Sequence, residues 1–193
     1  AVDSTTIRKE FSKPVKMKVF SWNATAENNF EKDTILAPID SIKYYKSILQ
    51  SGMMSVNPKN GFIKAWVGGI NHYHFKYDHV NKGKRQVGST FKPFVYTSVI
   101  DNGYSPSTQL LNQPPAIPQP DGTLWIPKNF DNSTSGLMTL RNGLMNSVNL
   151  IAANAITQLT TPEVVINYAK KMGITSDLPA YPSLALGSGE VLL

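Results

Sequence analysis

The sequence predicts an α+β protein, a small sheet edge followed by a helical block. Three observations carry that expectation. Val15-Lys16-Met17-Lys18-Val19 alternates apolar residues with lysine at period two, the pattern of a strand with one face in water. Residues 53–56 and 62–67 are strand-like runs on either side of Asn57-Pro58-Lys59-Asn60-Gly61, which reads as a hairpin. From Ser89 onward, apolar residues recur mostly at helical spacing, with Gly103 and Gly173 as stops.

Taken in order, residues 23–32 are polar and read as a loop or turn. Pro38 opens a helix with Ile39, Ile42, Tyr45 and Leu49 on one side, and Gly52 is its expected C′ residue. Gly68-Gly69 closes the second hairpin strand, and residues 70–88 read as a polar loop. A helix is expected from Ser89 to about Asn102. Residues 104–136 are dense in proline (Pro114, Pro115, Pro118, Pro120), and a connection this long without periodicity is functional or disordered. Helical patterns then run from Thr139: Leu140 with Leu144, Leu150-Ile151 with Ile156 and Leu159, and Pro162 to Met172.

The composition sets limits. A chain of 193 residues holds one substantial domain, or one domain with a small appendage. Apolar residues at 41% and charged residues at 17% exclude disorder as the dominant state. The formal charge of +6 is partly local, in Lys13, Lys16 and Lys18 and again in Lys82, Lys84 and Arg85. No arginine–aromatic interleaving or zinc-finger spacing accompanies it, so no nucleic-acid partner is expected. Cysteine is absent, which excludes disulfides, thiolate catalysis and thiolate metal sites. No run approaches the roughly 18 apolar residues of a membrane span. The chain starts without methionine and stops in Glu190-Val191-Leu192-Leu193, so it is expected to be an excised piece.

Ser89 and Lys92 stand three apart at the expected start of a helix, where that spacing stacks side chains one turn apart on one face. A hydroxyl is a weak nucleophile until a base takes its proton, and lysine serves only as a neutral amine. The first turn of a helix also offers free N–H groups to an acyl oxyanion. The same S-x-x-K fits an ordinary N-cap serine with a lysine behind it. Ser147-Val148-Asn149 is an S-x-N between two expected helices; Ser21-Trp22-Asn23 and Ser55-Val56-Asn57 match it equally, but sit in strand or turn. His72-Tyr73-His74, with Asp78 and His79 nearby, would place two imidazoles on one face of a strand as metal ligands. The same residues also fit a polar loop, and no metal is expected.

Over a longer stretch the chain resembles a known family. Arg85 to Tyr96 is similar to the nucleophile segment of class A, bifunctional penicillin-binding proteins, and Ala65-Trp66-Val67-Gly68-Gly69 resembles the end of that family's first transpeptidase hairpin. Gly122, Trp125, Pro127 and Asn129 resemble its G-x-x-W-x-P-x-N segment. Leu140, Leu144, Ser147 and Asn149 fit the helix leading into its S-x-N, and Ala185 to Val191 fits its A-L-G-x-x-E-V run. The resemblance implies a partial penicillin-binding/β-lactamase-like transpeptidase fold, a sheet-edge hairpin plus a helical subdomain. It places an interdomain linker region at 1–50 and the N-terminal portion of the transpeptidase domain at 51–193.

The activity implied is peptidoglycan D,D-transpeptidation through a serine acyl-enzyme, with no cofactor. Ser89 is then the nucleophile, Lys92 the acylation base (an assignment disputed in this superfamily) and Ser147 the proton relay. Asn149 and Trp125 become substrate-binding residues. Implied partners are peptidoglycan stem peptides, β-lactam antibiotics and an upstream glycosyltransferase domain. The implied location is extracytoplasmic, at the periplasmic face of the inner membrane, held by an anchor outside these residues. A penicillin-recognising sensor or a β-lactamase shares the S-x-x-K serine, but the hairpin and the W-x-P-x-N segment favour the cross-linking enzyme. The family's K-[ST]-G strand is absent from the 193 residues, so weak acylation of this chain, or none, is expected.

Overall fold

Short antiparallel pairs, rather than one continuous sheet, hold the strands in the computed structural model, which describes residues 3–118 and 122–192. Pro120 lies outside the described residues. The chain divides into two compact units, Ala1–Lys82 and Gly83–Leu193. Among the described residues no helix is long and apolar enough to cross a membrane.

In the first unit, α1 (Ser4–Phe11) buries none of its residues. β1 (Val15–Phe20) pairs antiparallel with β2 (Glu31–Leu36), Val15 opposite Leu36 and Phe20 opposite Glu31. β2 corrects the reading of residues 23–32 as loop throughout. Its first three residues are all charged, so no alternation announces it, and backbone pairing to β1 makes it a strand. The chain reverses through Asn29 and Phe30, at φ 53° and 57°. Asparagine takes that left-handed conformation readily and phenylalanine does not; Phe30 is held by ring contacts to Phe20 and Trp22.

α2 (Pro38–Ser47) opens on Pro38 as expected but ends well before Gly52. Ile48 is already extended and Leu49 is 89% exposed, so the apolar stripe does not continue to the glycine. Two tyrosines fasten the helix to β1: Tyr44 Oη donates to Phe20 O at 2.6 Å, and Tyr45 Oη accepts from Phe20 N at 3.0 Å. Gly52 serves close packing instead, since a Cβ there would lie 3.1 Å from Val80 Cγ2. β3 (Met53–Val56) and β4 (Ile63–Val67) form the expected hairpin, with a register shift between Ser55 and Val56. His72 and His74 lie in a turn, not a strand. His74 Nε2 sits 2.7 Å from Asn29 O with its ring against Phe20, and no group of three His, Asp or Glu among the described residues is placed to hold a metal ion.

In the second unit, β5 (Arg85–Gln86) breaks what reads in the sequence as loop. A 3-10 turn over Gly88–Phe91 follows, then α3 (Lys92–Asp101). Proline-rich residues 104–136 are corrected too. They hold β6 (Gln109–Leu111), β7 (Ile117–Pro118) and β8 (Leu124–Trp125), and β7 pairs with β8. β6 pairs with β9 (Leu137–Thr139). The helical block follows as α4 (Leu140–Met145), α5 (Asn149–Gln158) and α6 (Pro162–Lys171). Thr139 and Thr161 cap α4 and α6, accepting from Asn142 N and Val164 N. β10 (Glu190–Val191) returns to pair with β5.

α3 is the central helix of this unit, with Lys92, Val95, Tyr96, Ser98 and Val99 buried. Val95 and Val99 on it are fully buried among Leu140, Ile151, Ala152, Ile156 and Val165.

Candidate active site

Ser89 is exposed on the 3-10 turn, and Lys92, the first residue of α3, is 0% exposed behind it. The expected helix therefore begins three residues late. The turn is pinned from the far end of the chain, with Gly88 N donating to Gly187 O at 3.1 Å and Val87 N to Gly189 O at 3.4 Å. The Gly88 amide is thus spent on Gly187 and is not one of the free N–H groups expected there. Gly187 has φ 73°, and a Cβ on it would overlap the Gly88 backbone, so only glycine fits.

Lys92 Nζ meets four oxygens: Ser89 Oγ at 3.1 Å, Ser147 O at 2.6 Å, Ser147 Oγ at 3.0 Å and Asn149 Oδ1 at 2.8 Å. Ser147 and Asn149 come from the corner between α4 and α5. The corner is a Schellman motif: Val148 N donates to Gly143 O at 2.8 Å and Ser147 N to Leu144 O at 3.0 Å. The C′ position of that motif requires a left-handed backbone, and Ser147, at φ 53°, occupies it in place of the usual glycine. Gly143 lets α4 close on its neighbours, because a Cβ would lie 2.5 Å from Ile151 Cγ2 and 2.9 Å from Tyr96 Oη.

The proton count is informative. Ser147 O only accepts, and so does Asn149 Oδ1, whose amide is oriented by Asn149 Nδ2 donating to Lys128 O at 3.0 Å. An ammonium has three protons for four oxygens. A neutral amine spends both N–H groups on the two obligate acceptors, leaving its lone pair for the hydroxyl of Ser89 or Ser147. Burial favours that neutral form, holding the Lys92 pKa below the ordinary 10.5. The arrangement is equipped for acyl transfer: an exposed hydroxyl, a buried amine as base and a second hydroxyl within reach of the same amine.

The structure thus brings Ser89, Lys92, Ser147 and Asn149 together. Trp125 stands apart from their hydrogen bonds, half-buried in β8 opposite Ile117. The loop after it contributes instead through the Lys128 carbonyl and the Asn129 side chain, which accepts from Leu150 N at 3.1 Å. Neither is assigned to the site by sequence: a backbone carbonyl leaves no residue-type signal, and Asn129 stands out only within the W-x-P-x-N segment. A pocket of about 280 Å³ with a mixed polar and apolar lining opens beside Ser147, bounded by Asn112, Asn129, Phe130, Asp131 and Met138 among others.

Residues 1–49 match the penicillin-binding protein middle domain, and residues 51–181 match the penicillin-binding protein transpeptidase domain. Penicillin-binding protein 1A of Neisseria lactamica is 35% identical over 146 residues, 74% of this chain and 18% of that protein. Its counterpart in Pseudomonas aeruginosa is 37% identical over 145 residues, 74% of this chain and 17% of that one. The chain therefore spans under a fifth of the length of these curated relatives. Among solved structures, penicillin-binding protein 1A from Haemophilus influenzae superposes with a TM-score of 0.69 at 33% identity, covering 74% of this chain and 21% of that one. The penicillin-binding protein PonA1 from Mycobacterium tuberculosis shares the fold at a TM-score of 0.62 and 20% identity, covering 99% of this chain and 49% of that one.

Proposed function

The chain belongs to the penicillin-binding protein transpeptidase family, and from that premise we propose that Ser89 is the acylated nucleophile of a peptidoglycan D,D-transpeptidase. The observation that supports this most is the convergence on Lys92 of both serine hydroxyls and two obligate acceptors.

In the proposed reaction Ser89 Oγ attacks the carbonyl between the two terminal D-alanines of a stem peptide, and its proton passes to the Lys92 lone pair. The tetrahedral intermediate collapses by breaking the C–N bond. Ser147 relays the proton from Lys92 to the departing amine, D-alanine leaves, and an ester remains on Ser89. An amine of a neighbouring stem then attacks the ester, gives up its proton along the same path, forms the cross-linking amide and returns the serine. Asn149 hydrogen-bonds the donor's amide. A β-lactam acylates Ser89 by the same first step, but its leaving nitrogen stays tethered and the ester turns over slowly.

The same reading takes residues 1–50 as an interdomain region and 51–193 as the N-terminal portion of the transpeptidase domain. It makes an upstream glycosyltransferase domain, stem peptides and β-lactams the partners, and the periplasmic face of the inner membrane the location. Because the 193 residues include no K-[ST]-G run, they supply no lysine from that element for the substrate carboxylate, and acylation of this chain is slow or absent. Intact-protein mass spectrometry with a penicillin tests both statements. At most a small acylated fraction is expected, and none in Ser89→Ala. Adduct retained in Ser89→Ala refutes the nucleophile, and rapid stoichiometric labelling of the 193-residue chain refutes the need for a further element.

A further inference from the structure

α5 starts without a cap of its own. Its N-cap residue is Val148, which offers no side-chain acceptor, so the free N–H groups of the first turn must find partners elsewhere. Leu150 N finds one at Asn129 Oδ1, 3.1 Å away and 21 positions back in sequence. Asn129 is 8% exposed and uses its amide fully. Nδ2 donates to Asn112 Oδ1 at 2.9 Å and to Ser133 O at 2.8 Å, and Asn112 Nδ2 donates onward to Ser135 Oγ at 3.0 Å. The residue before it, Lys128, supplies the carbonyl that orients the Asn149 amide, and Asn149 Oδ1 accepts from Lys92.

We infer that Asn129 is a positioning residue for acyl transfer: it caps α5 from across the fold, and in doing so fixes the Lys128 carbonyl and the Asn149 amide against Lys92. The inference rests on Lys92 being the acylation base. The position demands a primary amide. Two N–H groups face two oxygen acceptors while one oxygen faces an N–H. Aspartate keeps the acceptor but sets a carboxylate against Asn112 Oδ1 and Ser133 O. Leucine fills the volume and supplies neither. With the tie cut, the Asn149 amide is free to rotate and water reaches the amine, relaxing the desolvation that holds the lysine toward its neutral form.

The experiment titrates Lys92 by NMR in protein carrying 13C-labelled lysine, comparing wild type, Asn129→Leu and Asn129→Leu with Val148→Thr. The near-isosteric threonine gives α5 a local cap. In Asn129→Leu the Lys92 midpoint is expected to rise by about one unit, with Tm lowered, and acylation at neutral pH to slow roughly tenfold. In the double variant Tm recovers while the midpoint stays raised. A midpoint unmoved in Asn129→Leu, or restored along with Tm, reduces Asn129 to a structural role and overturns the inference; a Tm that does not recover overturns the capping. If Asn129→Leu does not fold, the double variant, with its local cap on α5, decides the matter by the same titration. The titration needs no acylation. Adduct retained in Ser89→Ala therefore refutes the proposed function without deciding this inference.

Discussion

Replacing Ser147 with glycine and with alanine separates the backbone from the hydroxyl. Ser147 stands at φ 53° at the C′ position of α4, where a side chain costs roughly 1–2 kcal/mol and glycine costs nothing. Glycine gives back about 0.4–1 kcal/mol through the greater freedom of its unfolded chain. Both substitutions remove the same oxygen 3.0 Å from Lys92 Nζ, so that loss cancels between them. Taking the midpoints of these two terms, Ser147→Gly is expected to be more stable than Ser147→Ala by about 0.8 kcal/mol. In a cooperative thermal transition that is about 1–4 °C of Tm. Urea denaturation of the two variants measures the difference directly, with equal m-values required for the comparison. Acylation should fall in both to the same degree, on the order of a hundredfold or more, because each lacks the proposed relay. Alanine as stable as glycine, or more so, would refute the account of a serine held in a strained backbone for its chemistry.

The buried lysine sets a pH dependence. The folded-state pKa of Lys92 lies below its unfolded value of 10.5, so the cost of burying the ammonium is fully present below the folded pKa and disappears as pH rises through the window up to 10.5. The stability of Lys92→Met relative to wild type should therefore fall as denaturation is repeated at rising pH; a constant difference refutes the burial argument. Acylation by a penicillin should rise with pH to a plateau whose midpoint lies below 10.5. A rate independent of pH over that range excludes Lys92 as the base. Gly143→Ala should cost about 1–3 kcal/mol, because its Cβ would lie 2.5 Å from Ile151 Cγ2, and should slow acylation by displacing the corner that carries Ser147; a neutral result in chemical denaturation contradicts the packing account. Thr139→Ala removes the acceptor for Asn142 N and should cost about 1 kcal/mol, read by the same method.

The chain's local regularities were legible where the cause lies within a few residues. The lysine alternation of β1, the turn residues of the β3–β4 hairpin, Pro38 at the start of α2 and Gly173 beyond α6 each reflect such a cause, and the structure has them where expected. Strands whose reason for being is a distant partner were not legible. β2 is a strand because β1 lies beside it, and β5 because β10 returns to it from more than a hundred residues away. The C-terminus of α2 is not legible in the sequence for a related reason, since two tyrosines tie the helix to Phe20 and no apolar stripe has to reach Gly52.

The site divides in the same way. Ser89 and Lys92 are three residues apart, and their proximity follows from one turn of backbone, so the residues alone determine it. Three S-x-N runs compete in the sequence; position between two expected helices favours Ser147, but spacing alone does not separate them. Ser147 and Asn149 reach Lys92 because Gly143 admits close helix packing and a left-handed serine turns the chain at the right point. The orientation of Asn149 depends further on a backbone carbonyl at Lys128 and a cap supplied by Asn129, groups whose effect exists only once α5 and the preceding loop are packed together. Residue types and short spacings settle which chemistry is available. Which atoms share it is settled by contacts between segments far apart in sequence, where each partner's role depends on where the other one folds.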